Sequence, residues 1–208
     1  MAVFALLLFA FPFCKSKTDK PLEDGKINSV AEAQQVAKEM NKAVEQSTDR
    51  AAQRKAKGDT LAMPYKNLQN YLPEINGYSK DGGPKGSQMN LPGMGSWSQT
   101  EQEYVNGEKN ISVKLVDYNA AYNTLLGATT VYKMGFSSED DTKKQGAADL
   151  GLKDVAAYET IYKDGSRAEL IVIVADRFFI EIESNGSNDA ELIRSVAKNM
   201  KLDDLASK

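Results

Sequence analysis

The sequence predicts an α+β fold, an antiparallel five-stranded sheet covered by helices and preceded by a helical spacer. Three observations predict it. Five short runs between Trp97 and Glu183 carry strand-type alternation or continuous apolar character. Asn106-Gly107 and Asp164-Gly165 stand between consecutive runs as hairpin turns. Segments with helical spacing of apolar residues precede, interrupt and follow the strands.

Taken in order, residues 15–63 contain no aromatic side chain and are dominated by Lys, Glu, Gln, Ala, Asp and Ser. From Lys15 to Lys26 that composition predicts no packed structure. A helix is expected over about 29–57, opened by a Ser29/Glu32 capping box and stopped by Gly58. Val30, Ala33, Ala37, Met40, Val44, Ser47 and Ala51 recur along it with coiled-coil spacing. Only Val30, Met40 and Val44 are bulky, so a solvated or loosely docked stalk is favoured over a partner-binding or dimerising helix. Fully helical, it spans roughly 44 Å at 1.5 Å per residue.

The globular domain is expected from 64 to 208. "PYKNLQNYLPEINGY" predicts a short helix with Leu68 and Leu72 on one side, stopped by Pro73. "SKDGGPKGSQMNLPGMGSW" is so rich in Gly and Pro that it predicts a loop. Strands follow at Trp97–Val105 and Ile111–Asp117, then a helix over Tyr118–Met134 with Ala121, Tyr122, Leu125, Leu126 and Thr129 on one face. "GFSSEDDTKKQGAADLG" predicts a second long connection. Three strands close the sheet at Val155–Lys163, Arg167–Ala175 and Phe178–Glu183. Leu170 to Val174 is apolar on both faces, so its strand should be central and covered on both sides. A last helix begins near Asn188, with Glu191 completing a capping pair and Leu192, Ile193, Val196 and Met200 turned inward.

Composition narrows the chemistry. Lys and Arg total 26 against 29 Asp and Glu, interspersed without a basic stripe, so nucleic acid is not an expected partner. The single Cys14 cannot form an internal disulfide. With no histidine, Ser-His-Asp and Cys-His machinery and His-ligated zinc are excluded. Paired carboxylates, Lys or Tyr remain as catalytic groups, and no cofactor or metal is expected.

The stretch from Gly82 to Gly95 holds five glycines, two prolines and Lys85, but "GGPKGS" lacks phosphate-loop spacing. Tyr71, Tyr78, Trp97 and Tyr104 flank it and are the candidate ligand-binding residues. The competing and better supported reading has them capping the open end of the core with wet polar tips. Glu139, Asp140 and Asp141 lack the alternating spacing of a calcium loop and read as a solvated tip. Glu181 and Glu183 lie opposite Phe178, Ile180 and Ile182, so the solvent face is their place, with Lys163, Arg167 and Arg177 as cross-strand partners. Tyr158, Thr160 and Tyr162 share a strand face that a helix or an aromatic or glycan partner can cover.

Every residue from Ala2 to Phe13 is apolar, Cys14 follows, and Lys15, Lys17, Asp19 and Lys20 begin a polar tail. The apolar run is shorter than the roughly 20 residues that span a bilayer. It resembles the signal peptide of bacterial lipoproteins, with Phe13 where that family usually has a small residue and no Lys or Arg in the n-region. The resemblance implies a signal peptide over 1–13, diacylglycerol on the Cys14 thiol and a mature chain starting there. Residues 14–63 then form a polar spacer between the membrane and the domain. The element order, with "ADRFFIEIES" leading into an amphipathic C-terminal helix, resembles the PsbP-like fold over about residues 64–208. That resemblance implies an accessory, binding or assembly role without catalysis. The expectation is a lipid-anchored cell-envelope protein, periplasmic or surface-facing, with a non-catalytic binding domain. The alternative is an envelope hydrolase or transferase using carboxylates near the Gly-rich, aromatic-flanked loop. A protein partner docking on helix 29–57 is a third possibility.

Overall fold

The computed structural model describes residues 30–91, 95–119, 129, 132 and 137–208. Among them an eight-stranded, wholly antiparallel sheet dominates, in the order β1-β2-β3-β8-β7-β6-β5-β4. The strands are β1 Ser79–Leu91, β2 Gly95–Asn106, β3 Lys109–Asp117, β4 Ser138–Glu139, β5 Lys143–Ala148, β6 Val155–Tyr162, β7 Arg167–Val174 and β8 Phe178–Asn185. The helices described from end to end are α1 Val30–Ala56, α2 Tyr65–Leu68 continued by a tighter turn over Gln69–Tyr71, α3 Ala190–Lys198 and α4 Leu202–Ala206. None of the described helices is long and apolar enough to cross a membrane.

The expected five-stranded, helix-covered sandwich is therefore corrected. The five strands read from the sequence are β2, β3, β8, β7 and β6, contiguous in the middle of the sheet. Three more strands extend it outward. The Gly/Pro-rich stretch expected as loop is the edge strand β1, and the expected second connection contains β4 and β5. In β1 the register shifts between Asp81 and Lys85, so Pro84 sits in an irregularity at an edge, where its missing donor is tolerated. Gly82 supplies the positive φ of +72° that this irregularity requires. Gly86 is there for a different reason. A methyl at that position would run into the Tyr65 ring, which lies on the strand's backbone.

One face of the sheet carries the core. Val113 and Leu115 of β3, Leu170 and Val172 of β7, and Phe178, Ile180 and Ile182 of β8 are all fully buried there. Leu68, Ile193, Val196, Leu202 and Leu205 from the short helices, and Met200 from the turn between α3 and α4, close over them. Asp189 starts α3 by accepting hydrogen bonds from the N–H groups of Glu191 and Leu192. Lys201, at φ +53°, breaks the helix so that α4 can turn back onto β7. Ile173, on the opposite face of β7, is also buried, as the two-sided apolar run of that strand predicts. On the same face the Tyr132 ring packs on Tyr158 with centroids 5.1 Å apart. Apart from residues 118, 119, 129 and 132, the expected helix over Tyr118–Met134 lies outside the described residues.

A candidate binding site at the sheet corner

Residues 59–63 run as a strap across the end of β2 and β3. The strap's backbone polar groups need partners under cover, and β2 provides them. Its inward positions Ser96, Ser98, Thr100 and Gln102 are buried although polar. Ser96 Oγ accepts from the Ala62 N–H at 2.6 Å, and Ser98 Oγ donates to the Met63 carbonyl. Thr100 Oγ1 and Gln102 Nε2 donate to the carbonyls of Lys85 and Gly82 in β1.

The strap is locked by one buried ion pair. Arg177, from the β7–β8 turn, donates through Nε and Nη2 to the two oxygens of Asp117 at 3.0 and 2.8 Å. The Asp117 side chain is fully buried and that of Arg177 is 5% exposed, so a planar two-point contact replaces the lost hydration. Asp117 also accepts from the N–H groups of Met63 and Asn119, and Arg177 Nη1 reaches Asp59 at 2.8 Å and the Lys208 carbonyl at 3.2 Å. One guanidinium thus joins the strap, the end of β3 and the C-terminus.

Helix α1 docks beside this pair. Its end is a Schellman motif: the Gly58 N–H bonds to the Lys55 carbonyl and the Asp59 N–H to that of Arg54, with Gly58 at φ +80°. Arg54 donates to Asn119 Oδ1 and to the carbonyls of Ala175 and Asp176. Burial, and next the charge of Arg177, lowers its pKa. One turn earlier, Arg50 bonds Asp154 at 2.5 Å and lies 3.6 Å from Asp176. Ser47 is buried against the sheet, while Gln34, Gln35, Lys38, Asn41, Lys42 and Glu45 are exposed.

Between α1 and the sheet lies an open groove of about 290 Å³. Ile173, Val155 and Ala156 form its floor, and Gln46, Arg50, Asp154 and Asp176 its polar rim. Asp154, Ala175 and Asp176 hold left-handed φ values of 59°, 51° and 55° although none is glycine. The last two are the centre of the β7–β8 turn, closed by the Arg177 N–H on the Val174 carbonyl. Such residues persist only where the surroundings over-determine them, and two of the three, Asp154 and Asp176, line this groove. A guanidinium, two carboxylates and an apolar floor can hold a small polar group or a partner's side chain.

The four aromatic candidates do not share a cleft. Tyr104 is buried and donates to the Pro73 carbonyl at 2.6 Å, with its pKa pushed up to about 12 by burial and, less, by Glu74. Tyr71 is buried and donates to Asp204 at 2.6 Å. Tyr78 packs partly buried against the core. Trp97 and Tyr104 are seven residues apart in one strand, so they face opposite sides of the sheet. Cys14 lies outside the described residues.

The carboxylate candidates are exposed or paired. Arg167 bonds Glu183 at 2.8 Å and also Glu169, and Lys114 lies 3.9 Å from Glu181. Arg177 serves Asp117 and Asp59 instead, and Lys163 pairs with Glu139. Asp140 accepts from the hydroxyl and N–H of Thr142 and the N–H of Lys143, which lowers its pKa to about 2. Hydrogen bonds likewise lower Glu139, Asp164 and Asp204. A general acid at neutral pH needs the opposite displacement, so these groups lend the hydrolase reading no support. Sequence reasoning missed the corner itself. Its arginines are spread over 127 residues of separation from Arg50 to Arg177, and no local spacing marks them.

No family model matches the chain, and no curated protein matches it. A solved structure of an uncharacterised protein from Mycobacterium smegmatis is similar at 10% identity and a TM-score of 0.33, covering 73% of this chain and 93% of that one.

Proposed function

We propose that the chain is a lipid-anchored cell-envelope protein whose β-rich domain binds a ligand or partner without catalysing a reaction. The observation that carries this reading is the build of the segment joining the Cys14 stretch to the sheet. Helix α1 is 27 residues long, about 40 Å at 1.5 Å per residue. Its C-terminal end is fixed by the Schellman motif and by Arg50 and Arg54, while its described side chains before Ser47 are mostly exposed. A strut of this kind sets a domain at a distance from a surface. The groove under α1 is the binding position in this reading, because it combines an apolar floor with charged groups of both signs.

The test is intact mass and detergent partition of the protein made in its own host, beside Cys14→Ser. A wild type that begins at Cys14, carries acyl mass and enters the detergent phase, with a variant that does neither, supports the anchor. Retention of Phe13 with a free thiol and an aqueous wild type overturns it. For the binding position, Ala156→Trp fills the groove floor. Loss of partner capture by that variant, with an unchanged melting temperature, supports the groove, and unchanged capture overturns it.

A further inference from the structure

We infer that the outer edge of β1 from Ser87 to Leu91 pairs with the same edge of a second copy of this chain, forming an antiparallel dimer about a two-fold axis at Met89. Among the described residues, strand β1 is bonded on one side only, to β2. Its residues from Ser79 to Asn90 are exposed, with the Tyr65 ring over Gly86. Proteins guard such edges with charge, proline and bulges, and β1 does so along only half its length. Lys80, Asp81, Pro84, Lys85 and the register shift all lie before Gly86. Beyond it, Ser87, Gln88, Met89, Asn90 and Leu91 are uncharged, proline-free and in unbroken register with Gln99 to Gly95. The opposite edge of the sheet differs, since β4 has two residues and runs into the charged Glu139-Asp140-Asp141 tip.

Self-pairing suits this half-strand for two reasons. About an axis at Met89, Gln88 faces the partner's Asn90 and Ser87 faces the partner's Leu91, so no like charges meet. Met89 is 45% exposed and directly opposite Trp97 on β2. Two copies would therefore line up Trp97, Met89, Met89 and Trp97 in one row across the joined sheets. A foreign strand satisfies the same backbone edge but supplies that row only if it brings an apolar residue in register. The contact is short, so the dimer should be weaker than a standard interface of about 1,600 Å² provides. It does not depend on the lipid anchor.

Sedimentation velocity of the full chain across a dilution series tests it, with Met89→Lys and Gln88→Pro compared to wild type. Met89→Lys places two ammonium groups opposite each other at the axis, and Gln88→Pro removes a backbone donor and bends the strand. Both sites are exposed, so near-wild-type circular dichroism is expected. The expected result is a concentration-dependent wild-type dimer whose dissociation constant rises roughly tenfold or more in both variants. A wild type that stays monomeric, including one that instead takes up an added peptide strand, overturns the inference. So does a dimer that both folded variants leave unchanged, because association then runs through another surface such as the apolar N-terminal segment.

Discussion

The sheet's corner and its β1 edge lie on the same β1–β3 meander, yet they are held by different physics. At the corner, Asp117 and Arg177 are buried, charged and mutually satisfied, with backbone groups of the strap and C-terminus drawn in. At the edge, β1 has no buried side chain among its described residues and rests on backbone bonds to β2, the Tyr65 ring on Gly86 and the polar reach of Thr100 and Gln102. The corner is therefore intolerant of losing a partner. The edge tolerates most side-chain changes and is sensitive only where its backbone is touched.

The largest expected effect comes from breaking the corner pair. Asp117→Ala leaves the Arg177 guanidinium with half its contacts gone in a site closed to water, and also strands the Met63 and Asn119 N–H groups. A loss of about 3–5 kcal/mol is expected by urea denaturation. At the edge, Met89→Ala should change stability by no more than about 0.5 kcal/mol. A corner variant as mild as the edge variant would show that the strap opens without unfolding the sheet. The comparison would then fail.

Gly86→Ala sharpens the same contrast from the edge side. Its new methyl meets the Tyr65 ring and lies 3.1 Å from the Gln99 carbonyl, so either the ring or the strand must move. About 1–3 kcal/mol is expected for such overpacking. Tyr65→Ala with Gly86→Ala should recover part of that loss in a double-mutant cycle, whereas simple additivity would show that the ring does not hold β1.

This division also explains what could be read from the sequence. Hydrophobic alternation reports burial, so it found β3, β6, β7 and β8, whose inward residues are mostly Ile, Val, Leu, Ala and Phe, with Asp117 and Ser184 the buried polar exceptions. It found β2 through Trp97, Tyr104 and the Asn106-Gly107 turn, without showing that Ser96, Ser98, Thr100 and Gln102 face inward. Those four are polar because they bond the strap and β1. Strands β1, β4 and β5 bury almost nothing, so their residues carry the Gly, Pro and Lys of an edge and resemble loops. In α1, Ser47 was legible as a seam position, but Arg50 and Arg54 dock the helix from beside that seam. The charges that build the groove come from α1, the start of β6 and the β7–β8 turn, a juxtaposition that only the folded topology makes.

Tyr104 gives a pH-dependent version of the comparison. Its folded-state pKa of about 12 lies above the unfolded value near 10, so its contribution is intact below pH 10. As pH rises from 10 toward 12, the unfolded chain ionises while the folded one does not, and stability falls. Tyr71, Tyr78 and Tyr118 are raised as well, each chiefly by burial, and steepen the fall. Tyr104→Phe removes the bond to the Pro73 carbonyl and should cost about 1 kcal/mol at pH 7. It should also flatten the alkaline limb of a melting-temperature profile. An alkaline limb identical to wild type would mean that the Tyr104 hydroxyl reaches water in the folded protein.

The last effect expected is a gain, and it bears on how α1 is held. Ala175 and Asp176 each occupy the left-handed region, which costs an L-residue roughly 1–2 kcal/mol. Glycine relieves that cost but loses more chain entropy on folding, roughly 0.5–1 kcal/mol. Ala175→Gly should therefore raise stability by at most about 1 kcal/mol, since its carbonyl remains to accept from Arg54. Asp176→Gly relieves the same backbone but deletes the carboxylate 3.6 Å from Arg50. It should gain less than Ala175→Gly, and the gap should narrow in high salt because the Arg50 side chain is 39% exposed. If the two variants gain equally at every ionic strength, the Arg50–Asp176 contact contributes nothing and Arg50 holds α1 through Asp154 alone. In that case the groove is held at its Asp154 side, and its Asp176 side can open to admit a larger group.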